Sequence, residues 1–166
     1  MIIIAATGML VLLFFYLLVK KKEEKLQKRM AKFSELGTAN NLAFSSQELL
    51  HNRIIGLDGI KKTLLIFDYR TKKGNCLLIN LEDVESCKVK EIYQPMSNNN
   101  AGNRMTETYL EKIVLEFARK HSESVELPFY EFNKNHIMKT RALGKKAKHW
   151  ETILSKMINR DFKKTA

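Results

Sequence analysis

Eighteen consecutive residues without a charge, Ile2 to Val19 (IIIAATGMLVLLFFYLLV), run straight into Lys20, Lys21 and Lys22. A helix rises about 1.5 Å per residue and needs roughly 17 to 25 apolar residues to cross the hydrocarbon of a bilayer. The stretch is long enough to span upright, so the expectation is a single transmembrane helix over residues 1–19. A cleavable signal peptide would start with basic residues and end at a pair of small ones, and neither feature is here. Lys and Arg gather on the cytoplasmic side of a membrane. That rule puts the N-terminus outside and the remainder on the cytoplasmic face of the inner membrane, as a single-pass protein.

The net charge of +11 is unevenly spread. Lys20 to Leu36 holds seven basic and three acidic residues, Gly37 to Asn133 twelve and thirteen, and Lys134 to Ala166 ten and two. Basicity therefore sits in two flanks around a neutral middle. Beside an anchor, the simplest partner for such flanks is anionic lipid, where each Lys or Arg contributes about 1 kcal/mol within a Debye length. The expected contacts are Lys20, Lys21, Lys22, Lys25, Lys28 and Arg29 in the first flank, and Lys145, Lys146 and Lys148 in the second.

Residues 20–41 read as a basic juxtamembrane helix and hinge. Leu26, Met30 and Phe33, spaced by four and three, form a narrow apolar stripe that could serve as the seam of a homo-oligomer, but it covers barely two heptads, and a helix lying against lipid or against its own domain is the preferred reading. Gly37 is the expected terminating residue, with residues 38–41 as the hinge. From Leu42 the hydrophobic period becomes two. Residues 44–52 fit either a short helix capped by Ser45 or Ser46 or a first strand. Residues 53–57 and 62–67 are strand-like runs around an Asp58–Gly59 turn signal. Further strands are expected at 75–80, 84–93, 109–119 and 125–130, with a mobile polar loop at 94–106. In the 109–119 strand the apolar parity is that of Glu111, Ile113, Leu115 and Phe117. Pro128 suits an edge strand, because it has no N–H to give to a ladder.

The period then returns to 3.6. Leu143, Ala147, Trp150, Leu154 and Met157 fall on one face of an amphipathic helix over residues 140–160, and these five are the expected packing residues against a sheet. A lone Trp on such a stripe is read as core. Lys145, Lys146, Lys148, Lys156, Arg160, Lys163 and Lys164 fall mostly on the outward side.

The strand order, the ArgIleIleGlyLeuAsp segment (53–58) with its following turn, and the final helix carrying Trp150 together resemble the pleckstrin-homology-like superfold, in particular its small bacterial membrane-anchored versions. The resemblance covers roughly residues 42–164. It implies an α+β, mostly β fold: a transmembrane helix, then over residues 42–166 an antiparallel β-barrel or sandwich of six to seven strands capped by the C-terminal helix. Members of the superfold that bind phosphoinositides resemble one another in a Lys-x-Lys/Arg-x-Arg pattern near the first hairpin. Here that hairpin offers Lys61 and Lys62 beyond an acidic Asp58.

No catalytic, metal or cofactor residue is nominated. The chain has no Gly-x-Gly-x-x-Gly or Walker loop, and His51, His121, His136 and His149 form no i, i+4 pair. Cys76 and Cys87 read as reduced strand residues. Glu82, Asp83 and Glu85 are clustered as a surface turn would have them. The functional expectation is a non-catalytic, membrane-tethered interaction module that recruits a protein partner or anionic lipid head groups. The alternatives are a nucleic-acid-binding domain using the basic C-terminal helix, which lacks the interleaved aromatics of a stacking platform, and an enzyme of unrecognised type.

Overall fold

A computed structural model describes residues 2–71, 74–95, 108–133 and 139–159, without the side chains of residues 2–12 and 159. The expected loop at 94–106 lies mostly, and Arg160, Lys163 and Lys164 entirely, outside the described residues. The chain divides into two compact units, residues 1–59 with 65–77 and residues 60–64 with 78–166.

Helix α1 (Ile2–Ala39) is continuous over 38 residues. Among the described residues, no helix is long and apolar enough to cross a membrane. That finding overturns the transmembrane span at 1–19, and with it the single-pass placement with the N-terminus outside and the domain on the cytoplasmic face. The apolar side chains described in this part of α1, Leu13 to Val19, are 47 to 66% exposed, and the charged run from Lys20 follows them directly.

Gly37 does not end α1, which runs on to Ala39. The left-handed residue is Asn41 (φ 53°). Around it the Leu42 N–H donates to the Gly37 carbonyl at 2.8 Å and the Asn41 N–H to the Thr38 carbonyl at 2.9 Å, the paired bonds of a Schellman closure with Asn in the glycine's usual place. Gly37 instead permits close approach: a Cβ there would lie 2.5 Å from the Phe44 ring.

The first sheet is an antiparallel meander of β1 (Ser46–Leu49), β2 (Arg53–Asp58), β3 (Thr63–Asp68) and β4 (Asn75–Asn80), in that order. The core of the first unit gathers Phe33 of α1 with Ile54, Leu65 and Phe67, and Met30, Leu36, Leu42, Phe44 and Tyr69 pack against it. The Met30–Phe33 part of the apolar stripe thus covers the unit's own strands. Phe33 and Phe44 stack with centroids 4.8 Å apart, and a Cβ on Gly56 of β2 would sit 2.6 Å from the Phe33 ring. The β2–β3 turn is longer than the Asp-Gly signal implies. Asp58 is buried at 2% exposure as the last residue of β2, its Oδ2 accepting from the Ala43 N–H at 2.8 Å. The positive φ falls on Lys62.

In the second unit a short 3-10 turn, Leu81–Asp83, is capped by the Asn80 side chain, which accepts from the Glu82 N–H. It leads to β5 (Val84–Pro95), β6 (Thr108–Arg119) and β7 (Val125–Glu131), an antiparallel sheet in that order. Pro128 lies on the end strand, as expected of a residue that cannot donate, opposite Val114 where the register shifts. Helix α2 (Thr140–Asn159) packs on all three strands. Leu143, Ala147, Trp150 and Leu154 are buried, Met157 is half-buried, and Ile158 is buried as well.

No barrel closes. The first sheet ends at β4 and the second begins at β5, without a shared ladder among the described residues, because the capped 3-10 turn interrupts the backbone between them. With 38 and 20 residues in the two helices, the chain is not mostly β either. The expected transmembrane helix plus capped β-barrel or sandwich is corrected to an α+β arrangement which, among the described residues, has two helices and two antiparallel sheets of four and three strands.

Two side-chain bonds fasten α2 to the outer edge of β5. Glu151 Oε1 accepts from the Val89 N–H at 2.9 Å, and Ser155 Oγ donates to the Cys87 carbonyl at 3.2 Å, so the helix covers part of an edge that would otherwise be open to pairing. Burial raises the Glu151 carboxyl, but its bonds to Lys148 and Val89 and the charges of Lys148 and Lys88 outweigh this and hold it below the usual range. The Cys87 thiol moves the other way: burial, then the Glu151 charge, pushes it from 9.0 up to about 12. A raised thiol leaves stability intact below pH 9 and drains it as pH rises toward 12, since only the unfolded chain ionises there. The expected loss is up to about 1.4 kcal/mol per pH unit in that window. Urea unfolding at pH 8 and 10.5 should show this part of the alkaline loss disappear in Cys87→Ala.

Candidate functional site

Lys25, Lys28, Arg29 and Lys32 fall at i, i+3, i+4 and i+7 of α1, so the helix stacks them on one face. Opposite them in the same unit are Phe67 and Tyr69, which share a side of the chain at and just after β3, with Thr71 and Gly74. Together they enclose a cleft of about 290 Å³. Four of its eight lining residues are cationic and none is a carboxylate.

The aromatic rings seat the cations. The Arg29 guanidinium lies 4.0 Å above the Tyr69 ring centre, and Lys32 Nζ is 5.6 Å from that of Phe67. Tyr69 is fixed from behind, its hydroxyl donating its one proton to the His51 carbonyl at 2.7 Å, with the Leu50 carbonyl 3.2 Å away. Burial raises its pKa and Asp68 adds to the rise, against the opposing pull of Arg29, so the ring stays neutral. Asp68, between the two aromatic positions, is held by Arg53 at 3.0 Å and by Arg70. Burial raises this carboxyl too, but the Arg70 hydrogen bonds and the charges of Arg53 and Arg70 carry it below the usual range. The nearest acid in sequence is therefore already compensated and does not cancel the cleft's charge.

Gly74 has φ 71°, its N–H donating to both the carbonyl and Oγ1 of Thr71 at 3.1 Å. A Cβ on Gly74 would collide with the Phe67 ring. Gly74→Ala combines that clash with a disfavoured φ, so it should cost more than about 1 kcal/mol and weaken the cleft. Thermal unfolding measures the first effect and an anion-binding isotherm the second.

Of the residues expected to touch anions, Lys25, Lys28 and Arg29 come together here. Lys20, Lys21 and Lys22 are exposed further toward the N-terminus of α1 and do not line the cleft. Lys145, Lys146 and Lys148 belong to α2 in the second unit, where Lys145 is exposed, Lys146 is half-buried and Lys148 is engaged by Glu151 at 2.8 Å. Sequence reasoning missed Lys32, Phe67 and Tyr69. The i+7 step from Lys25 would have found Lys32, and the shared strand parity of 67 and 69 pairs the two rings. A second cavity of about 450 Å³ in the other unit is lined by Asp83, Arg119, His121 and Ser122 among others. Its charges are of both signs, so it has no net preference of the kind seen in the α1 cleft. Among the described residues, no group of three His, Cys, Asp or Glu is placed to hold a metal ion. No protein-family model, curated protein or solved structure matches the chain, which leaves the cleft's own chemistry to argue from.

Proposed function

We propose that this protein is a non-catalytic interaction module that recruits a partner presenting anionic groups through the basic face of α1. The observation that carries the reading is the convergence of Lys25, Lys28, Arg29 and Lys32 on one cleft with no carboxylate in its lining. Like charges held together disfavour the empty site and favour an anion that relieves them. The order of four strands, three strands and a final helix supports the likeness to pleckstrin-homology-like proteins as part of the same proposal, without barrel closure. Nucleic acid is the less favoured partner, because cations cover the two aromatic faces on which bases would stack.

Vesicle co-sedimentation of the full chain tests this. Binding to anionic vesicles but not to neutral ones, falling steeply as salt is raised, is the expected result. Equal retention by both vesicle types, or capture by RNA that outcompetes anionic vesicles, contradicts it.

A further inference from the structure

We infer that the group held in the α1 cleft is a phosphomonoester. The inference rests on the anionic reading above and narrows it by charge, donor inventory and ring coverage. The Arg29 guanidinium lies 4.0 Å from the Tyr69 ring centre and has five N–H donors, more than its hydrogen bond to Tyr69 uses, so donors remain to meet oxygens. Thr71 Oγ1 already accepts from the Gly74 N–H at 3.1 Å, so its own O–H remains to donate. The ammonium groups of Lys25, Lys28 and Lys32 donate only. The charged and hydroxyl groups lining the cleft thus offer protons, whereas a ligand amine or hydroxyl donor would find no carboxylate to accept from it.

Lys25, Lys28 and Arg29 around about 290 Å³ already exceed, without Lys32, what one negative charge can compensate. A monoester carries about −1.5 to −2 near neutral pH and presents three terminal oxygens. A phosphodiester has a single charge and two such oxygens, and a carboxylate is no better. A nucleotide base would add a ring for which the rings of Phe67 and Tyr69 have no uncovered face toward the cations. The phosphate can be that of a lipid head group or of a soluble ester, since both present the same oxygens.

Calorimetric titration of the full chain with glycerol 3-phosphate, run beside co-sedimentation with vesicles carrying phosphatidic acid or, at matched surface charge, phosphatidylglycerol, tests the inference. The expected result is that glycerol 3-phosphate binds, phosphatidic acid vesicles bind about tenfold better than phosphatidylglycerol ones, and Arg29→Gln or the exposed Lys28→Gln weakens monoester binding about tenfold. Binding of the soluble ester with no preference for phosphatidic acid upholds the inference and assigns the source to a soluble molecule. A preference for phosphatidic acid that the soluble ester does not compete upholds it with a lipid source. Equal binding to both anionic vesicles, with none of the soluble ester, overturns the monoester while sparing the anionic module. No binding to any anion overturns both. Unchanged monoester affinity in Lys28→Gln and Arg29→Gln puts the site elsewhere and also overturns the inference.

Discussion

Phe33→Ala should destabilise the first unit by about 3–5 kcal/mol, the range for removing a buried aromatic ring. Phe33 is 1% exposed and belongs to the buried cluster with Ile54, Leu65 and Phe67. Its ring stacks on Phe44 at 4.8 Å and lies so near Gly56 that a single methyl there would overlap it, at 2.6 Å. No slack exists for neighbours to collapse into, and an unfilled cavity keeps the cost high. The consequence for function follows from sequence spacing. Phe33 is four residues after Arg29 and one after Lys32, so the ring that anchors α1 also sets the height of the basic face above Phe67 and Tyr69. Urea unfolding should show the loss, and anion binding should weaken with it. A loss under about 1 kcal/mol would mean that α1 is not seated on β2 and β3.

Trp150→Ala should cost about as much, 3–5 kcal/mol, in the second unit. Trp150 is 2% exposed, with Ala147 and Leu154 at 0% on the same face of α2, and the helix packs on β5, β6 and β7. The chain has a single Trp, which makes the parent protein its own reporter. Indole emission should be blue-shifted in the folded state and move red in one step with urea. Calorimetry of Trp150→Ala then measures what the packing contributes. An emission already red in the native protein would contradict the burial of this face.

Much of the fold is legible in the sequence because periodicity reports which side of an element is apolar. The strand at Asn75–Asn80 and the start of α2 at Thr140 are read to the residue, and β6 buries the expected Ile113, Leu115 and Phe117, although Val114 of the other parity is buried as well, where the register with β7 shifts. Periodicity does not say what covers a face, and there the reading fails. The apolar run before Lys20 suggests a bilayer, yet among the described residues no helix is long and apolar enough to cross one. Gly37 looks like a stop because glycine tolerates left-handed backbone, whereas its missing side chain is what Phe44 requires and Asn41 supplies the turn. Asp58–Gly59 has the composition of a tight hairpin, but the Ala43 N–H captures the Asp58 carboxylate and draws it inside. Alternating strands leave sheet closure open, and the Asn80 cap that separates β4 from β5 is a single side-chain bond with no periodic signature. The cleft was half visible. Its lysines stand out by charge, while its aromatics lie some forty residues away and only the fold brings the two sets together.

Position on α1, and not total charge, should decide whether the anionic partner is recruited. Co-sedimentation with anionic vesicles should be compared for Lys25→Glu/Lys28→Glu and for Lys145→Glu/Lys156→Glu, two pairs of exposed residues whose reversal changes the net charge equally. Loss of binding in the first pair with retention in the second is the predicted result. Equal loss in both, or loss only in the α2 pair, would contradict it.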